Sequence, residues 1–328
     1  MTDFVQYEPF AFSRRFGRIA LVLLLVFAAT GAYAQDPDEV VRIDTDLVSF
    51  EVTVTDRNGK FVPNLNRDDF RLFEDGIERP IDFFQPIRKT DERRPLSVVF
   101  ALDVSGSMTD AEIERLRFAM QSFISRLADY NSYFAVVSFA MDVRTLQGFT
   151  NRRDKLERSF DKLVRDQNGL STHAYDAIDD SIRLIVKKSP KVIKGRVPKR
   201  AVILVSDGFP VGDVVSPETL IERANVAETT VYSVILPSYS RLQADKRPII
   251  TPLEASGLID KTGGKSFYAT DKSFDALFQA LAEDITSSYA IAFYPDRDGG
   301  SSETNRKVSI RSKSGYTVRQ NRTDFRLR

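Results

Sequence analysis

LSVVFALDVSGS, residues 96–107, decides the fold. From Leu96 to Leu102 the run is almost wholly apolar, the pattern of a strand covered on both faces rather than one. Parallel sheets with helices packed on both sides bury their strands in this way. Asp103, Ser105 and Ser107 follow at once, at positions i, i+2 and i+4 of a short loop, and Gly106 lets the backbone turn between the two serines. In open α/β sheets ligands bind beyond the carboxyl ends of the strands, so these oxygens stand where a site is expected.

Outward from this stretch the alternation continues. An amphipathic stretch covers Asp110–Leu127, a strand Tyr133–Phe139, and helical patterns Asp154–Val164 and Ala174–Val186. Buried-type strands return at Ala201–Val205 and Val231–Leu236, and a last helix spans Ser273–Ile285. Residues 95–285 therefore read as one α/β domain with a doubly wound, mostly parallel, Rossmann-like sheet. Two further oxygen-bearing loops lie within it, Ser171-Thr172 and, at the end of a strand, Ser206-Asp207-Gly208. Hydroxyls and carboxylates are hard donors that suit Mg²⁺, Mn²⁺ or Ca²⁺ better than soft metals. If neutral hydroxyls ligate directly and the carboxylates act through water, such an ion keeps positive character and attracts an external carboxylate.

Asp103-Val104-Ser105-Gly106-Ser107 resembles the D-x-S-x-S motif of von Willebrand factor A domains, the metal-ion-dependent adhesion site. Thr172 and Asp207 match the family's later Thr and Asp positions. The resemblance implies that Ser105, Ser107 and Thr172 ligate the metal directly and that Asp103 and Asp207 act mostly through water. It also implies a protein partner that completes the metal shell with an Asp or Glu. Where the family usually reads Gly-Thr or Gly-Gly-Thr, this chain has Leu170-Ser171-Thr172, which makes Ser171 a rival oxygen. Val52–Gly59, Asp68–Gly76, Ala174–Ile178 and Tyr289–Pro295 resemble a narrower group, the VWFA-related domain family of acidobacterial type, whose members are expected to be exported.

The flanks have a different grammar. DLVSFEVTVTD, residues 46–56, alternates apolar and polar residues, and Asn58-Gly59 is a hairpin-type turn. Short strand patterns recur at Phe70–Phe73 and Ile81–Phe84, and again at Tyr289–Tyr294, Lys307–Arg311 and Tyr316–Arg319. The polar stretch Arg88–Pro95 separates the first group from the α/β domain. Neither flank, 41–90 or 286–328, has enough strands to bury two sheet faces alone. The expectation is one β-sandwich assembled from both, with the α/β domain inserted into it.

Arg14, Arg15 and Arg18 precede the apolar run Ile19–Ala29, and Ala32-Tyr33-Ala34 ends it with an A-x-A pattern. A run this short falls below the ~20 residues of a membrane-spanning helix. Residues 1–34 are therefore expected to be a signal peptide, with an uncleaved anchor as the rival, and the rest to be periplasmic, extracellular or in the cell envelope. The chain of 328 residues holds 47 Lys+Arg against 46 Asp+Glu, a balance that exerts no global pull on nucleic acid. It has no Cys, which excludes disulfides, thiol catalysis and zinc–thiolate sites.

Milder readings compete at several positions. Asp103, Ser105 and Ser107 can simply cap the following helix. A hydrolase triad of Asp103, Ser105 and His173 lacks a G-x-S-x-G elbow, so no catalytic residue is expected. His173, the only histidine, and Met108 and Phe209 are expected either to form a partner-binding rim or to pack the loops. Two basic stretches, Lys187–Arg200 and Arg306–Arg328, read as solvated faces, or else as docking sites for anionic envelope polymers. The runner-up reading of the whole, ahead of the hydrolase, is a structural module that keeps the metal but gives it only the task of ordering the loops. The oligomeric state is not written in these patterns.

Overall fold

The computed structural model describes residues 47–86, 94–106, 108–127, 131–166, 171–236, 250–269, 274–296 and 305–326. The expected signal segment 1–34, most of the 88–95 linker, and Ser107 lie outside the described residues. Among the described residues no helix is long and apolar enough to cross a membrane.

The N-terminal flank supplies strands β1 (Val48–Thr55), β2 (Phe70–Glu74), β3 (Ile77–Arg79) and β4 (Phe83–Pro86). The α/β part then runs β5 (Leu96–Asp103), α1 (Asp110–Arg126), β6 (Tyr133–Phe139), β7 (Val143–Thr150) and α2 (Arg153–Phe160). It continues through α3 (Ala174–Lys188), β8 (Lys199–Ser206), α4 (Pro217–Val226), β9 (Thr229–Ile235), α5 (Pro252–Ala255) and α6 (Leu258–Lys261). It closes with β10 (Ser266–Tyr268) and α7 (Phe274–Thr286). The C-terminal flank adds β11 (Tyr289–Phe293), β12 (Arg306–Ser312), β13 (Thr317–Gln320) and β14 (Asp324–Phe325).

The central sheet has the order β10-β9-β8-β5-β6-β7, parallel throughout except for β7, which runs antiparallel at one edge. All eight residues of β5 are buried, as its apolar run requires. Alternation sends Val98, Phe100 and Leu102 into a core with Met120 and Phe123 of α1, Phe160 of α2 and Phe278 of α7. Val99 and Ala101 face the other way, toward Ile178 and Ile182 of α3 and Leu220 of α4. The chain order reverses between β5 and β8, and the carboxyl end of that pair is the switch point of the fold.

The two flanks do pair across the chain. One antiparallel sheet has the order β13-β1-β11-β4 and the other β14-β12-β2-β3, so each mixes N- and C-terminal strands. Phe50, Val52 and Val54 of the first sheet and Phe70, Leu72, Val308 and Ile310 of the second belong to one buried core. The chain leaves the first sheet at Pro86 and re-enters it at Tyr289, and these two residues are register partners. An entire α/β layer thus fits between adjacent strands without breaking the ladder.

Where sandwich and α/β layer meet, charges are buried together. Glu51 of β1 bonds to Arg94, and its Oε2 lies 3.4 Å from Nζ of Lys199 at the start of β8. Arg319 of β13 reaches Asp284 of α7 at 2.5 Å and donates to the Gly264 carbonyl at 2.8 Å. Gly263 has φ +76°, and a Cβ there would stand 2.6 Å from the Gln320 carbonyl oxygen, so this junction admits no side chain.

Candidate metal centre

The first loop leaves β5 at Asp103, which is fully buried. Its Oδ1 accepts from the Ser105 N–H at 2.8 Å, an Asx turn in which the side chain holds the backbone two residues ahead. Its Oδ2 is also buried and, among the described residues, makes no hydrogen bond by distance and angle. Burial pushes the Asp103 carboxyl up to about 6; hydrogen bonding with Ser105 and Ser206 pulls against that, and the nearby Asp207 charge adds to it. A buried, incompletely satisfied carboxylate beside a second carboxylate is costly in this form, and a cation would relieve the cost.

The third loop repeats the device. Asp207 follows β8, is buried, and accepts from the Phe209 N–H at 3.0 Å through its own Oδ1. Ser206 Oγ takes the Gly208 N–H at 3.1 Å. Gly208 has φ +82°, and a Cβ on it would press to 2.8 Å against the Thr251 side chain. Only glycine fits that turn.

Thr172 is joined to the third loop by backbone. Its N–H donates to Val211 O and its carbonyl accepts from Val211 N–H, both at 3.0 Å. His173 N–H donates to Ala140 O at 3.0 Å, tying the same segment to the end of β6. A Cβ built on Gly212 would meet both Ser171 Oγ, at 3.3 Å, and His173 Nε2, at 2.9 Å. Ser171 and His173 therefore share one side of this extended segment, and alternation turns the buried Thr172 to the other.

Of the sequence-derived residues, Asp103, Ser105, Thr172 and Asp207 all lie on the loops at the switch point, while Ser107 is outside the described residues. Met108 is corrected from the rim to the interior. It is 2% exposed and packs in the core against which α1 lies, and its N–H closes the first loop on the Ser105 carbonyl at 3.1 Å. An apolar side chain one turn ahead of an amphipathic helix gains more from that core than from the rim. Phe209 is half-buried, and His173 bonds through Nδ1 to Asp176 Oδ2 at 3.1 Å. Asp176 in turn accepts the Val214 and Val215 N–H groups, which makes His173 part of a loop-holding network.

Two features escaped the sequence reading. Arg165 donates from Nη2 to the Gly106 carbonyl at 2.7 Å, and Asp166 N–H donates to Val104 O at 2.7 Å. The segment after α2 thus straps the first loop from outside, a contact with no local trace in the sequence. Exposed apolar side chains at this pole are Met141, next to Ala140, and Val211 and Val214 of the third loop. The inward-facing residues of the strands gave the readable signal; these valines had none.

Among solved structures the chain is similar to an aerotolerance-related membrane protein from Bacteroides fragilis NCTC 9343. Identity is 17%, over 58% of this chain and 98% of that one, with a TM-score of 0.45. It is similar too to the vWF domain of the type V pili tip protein Mfa5 from Porphyromonas gingivalis, at 13% identity over 59% and 95% of the two chains, TM-score 0.45. A third is proximal thread matrix protein 1 from the mussel byssus with a zinc-occupied MIDAS motif, at 15% identity over 62% and 48%, TM-score 0.46. No curated protein matches the chain. The sequence profile of the von Willebrand factor type A domain matches residues 97–283, more than half of the chain.

Proposed function

Because the chain belongs to the von Willebrand factor type A domain family, we propose that it is an exported binding module in which a hard divalent cation captures a carboxylate of a protein partner. The observation that carries this reading is the Asp103 carboxylate: one oxygen is spent on its own loop, and the other is buried beside Asp207 with no hydrogen bond of good geometry among the described residues. The donor set, two carboxylates and the hydroxyls of Ser105, Ser107 and Thr172, fits Mg²⁺, Mn²⁺ or Ca²⁺. A bound cation supplies the positive charge that an incoming Asp or Glu requires. Asp103 and Asp207, held by their Asx turns, keep that charge in place, and Thr172 is presented from the strand-like pair with Val211.

Around such a point charge, Met141, Val211, Val214 and the half-buried Phe209 offer apolar contact to the residues flanking a partner's carboxylate. His173 serves the rim through Asp176 rather than a reaction, and no catalytic role is assigned to it. The alternative in which the metal only orders the loops has less to explain here. The Thr172–Val211 pair, the two Asx turns and the Arg165 strap already order them through the protein's own hydrogen bonds. Export rests on the Arg14–Ala34 pattern, and N-terminal sequencing of the processed protein should then begin at Gln35.

The decisive experiment is calorimetric titration of Mg²⁺, Mn²⁺ and Ca²⁺ into metal-stripped protein, beside Asp103→Ala. Saturable binding at one site, weakened roughly 10–100-fold in the variant, is expected, because each lost ligand or outer-shell partner costs about that much. Equal uptake by both proteins, or none by either, would overturn the reading.

A further inference from the structure

The balanced charge of the whole chain hides a strong local departure. Residues 181–200 carry eight Lys or Arg and no Asp or Glu. This stretch ends α3 and leads into β8, so it lies at the amino-terminal edge of the parallel sheet, the edge away from the metal loops. Lys188, Lys191 and Lys194 are exposed and form no ion pair among the described residues. Lys187 beside them is exposed too.

The second basic stretch contrasts with it. There Arg306 is buried against Glu74, the half-buried Arg319 is paired with Asp284, and Arg322 lies over the Phe50 ring. Those cations are used by the fold; the lysines of 187–194 are not.

Backbone geometry also places apolar groups among these lysines. Ile193 and Arg196 pair across a two-residue turn in which Lys194 and Gly195 have φ of 48° and 77°. Ile193 is buried, so its strand neighbours Val192 and Val197 both point away from the body, at 58% and 53% exposed. Val186, in the last turn of α3, is 53% exposed too. Exposed lysines interleaved with outward valines on a short hairpin form an amphipathic surface.

We propose that this hairpin docks the protein on an anionic phospholipid surface, the lysines meeting headgroup phosphates and the valines entering the interface. Attraction of lysines to an anionic leaflet accounts for the charge, and transfer of the valines out of water accounts for their exposure. A soluble polyanion would satisfy the lysines alone and give the valines nothing. Docked this way, the protein turns its metal loops toward solution and a partner. The assignment stands on residues 186–197 alone and is independent of metal binding.

The test is flotation of the full chain with vesicles of phosphatidylcholine, and of phosphatidylcholine with phosphatidylglycerol. Neutral vesicles report whatever the apolar run Ile19–Ala29 contributes; with Arg14→Gln, Arg15→Gln and Arg18→Gln in every protein compared, the excess on anionic vesicles reports the hairpin. Each lysine near an anionic surface is worth roughly fivefold in affinity, so K191E combined with K194E should lower the excess at least ~25-fold. V192S combined with V197S should lower it several-fold and leave the remainder fully salt-labile. Unchanged thermal melting of both variants keeps the comparison valid for surface positions. No excess on anionic vesicles, or an excess that survives K191E/K194E, overturns the proposal. If polyphosphate competes fully and the valine variant binds vesicles like wild type, the partner is a soluble polyanion and the membrane assignment fails.

Discussion

Asp103 and Asp207 use the same arrangement, one oxygen turned back on the loop and the carboxylate kept inside the protein. For Asp103 this costs stability when no cation is present, because burial disfavours the charge. Asp103→Asn should therefore melt no lower than wild type in chelator, yet gain nothing from added Mg²⁺, whereas wild type should rise with metal concentration. Differential scanning fluorimetry with and without metal reads both. Gly208 makes the opposite prediction. Gly208→Ala forces a Cβ into Thr251 at a positive φ and should cost roughly 2–4 kcal/mol in denaturant unfolding, with weaker metal binding besides. At this scale the placing of Asp103, Ser105 and Asp207 at the ends of buried strands was legible, because the apolar runs of β5 and β8 lead directly into them. Arg165 was not, since its contact with Gly106 joins positions 59 residues apart.

The elements were readable where their periodicity was strong. α1 opens with a capping box, Thr109 Oγ1 accepting from Glu112 N–H and the Glu112 carboxylate accepting from Thr109 N–H. Because this cap also ends the metal loop, Thr109→Ala should cost about 1 kcal/mol by chemical denaturation and loosen the loop with it. β7 was missed for a physical reason. It is an antiparallel edge strand, mostly half-exposed, contains Gly148, and its ladder with β6 shifts register twice, so no clean alternation survives. α4 was missed although its signal was present: Ser216 caps the helix and Pro217 opens it. The short strand β3 is exposed at Ile77 and Glu78 and half-buried at Arg79, and it left no apolar pattern to read.

For the whole molecule the junction of sandwich and α/β layer is the sensitive part. Burial pushes the Glu51 carboxyl up, but the charges of Arg94 and Lys199 overcome it and hold it below its usual 4.5. Burial likewise lowers Lys199, with Glu51 opposing. A carboxylate whose pKa is depressed by folding adds stability above its unfolded value, and that stability is lost as pH falls through the folded one. Wild type should accordingly weaken below about pH 4.5. Glu51→Gln should lose roughly 1–3 kcal/mol at neutral pH and show a flatter acid limb, as measured by urea unfolding across pH. Arg319→Ala strands Asp284 in the same junction and should be more damaging, on the order of 3–5 kcal/mol.

By itself the sequence determined the α/β class, the switch-point loops and the strand character of both flanks, since these follow from local periodicity and from residue chemistry adjacent in the chain. It also carried the idea that the flanks belong together, from the shortage of strands in each. The tertiary structure alone decided the partners: Val52 with Tyr289 and Gln320, Pro86 with Tyr289, Leu72 with Ile310. It decided that Met108 is interior, and that Arg306 and Arg319 are held in ion pairs while Lys191 and Lys194 stay exposed. Burial and charge pairing depend on which distant segments close over a side chain, and no spacing along the chain encodes that closure.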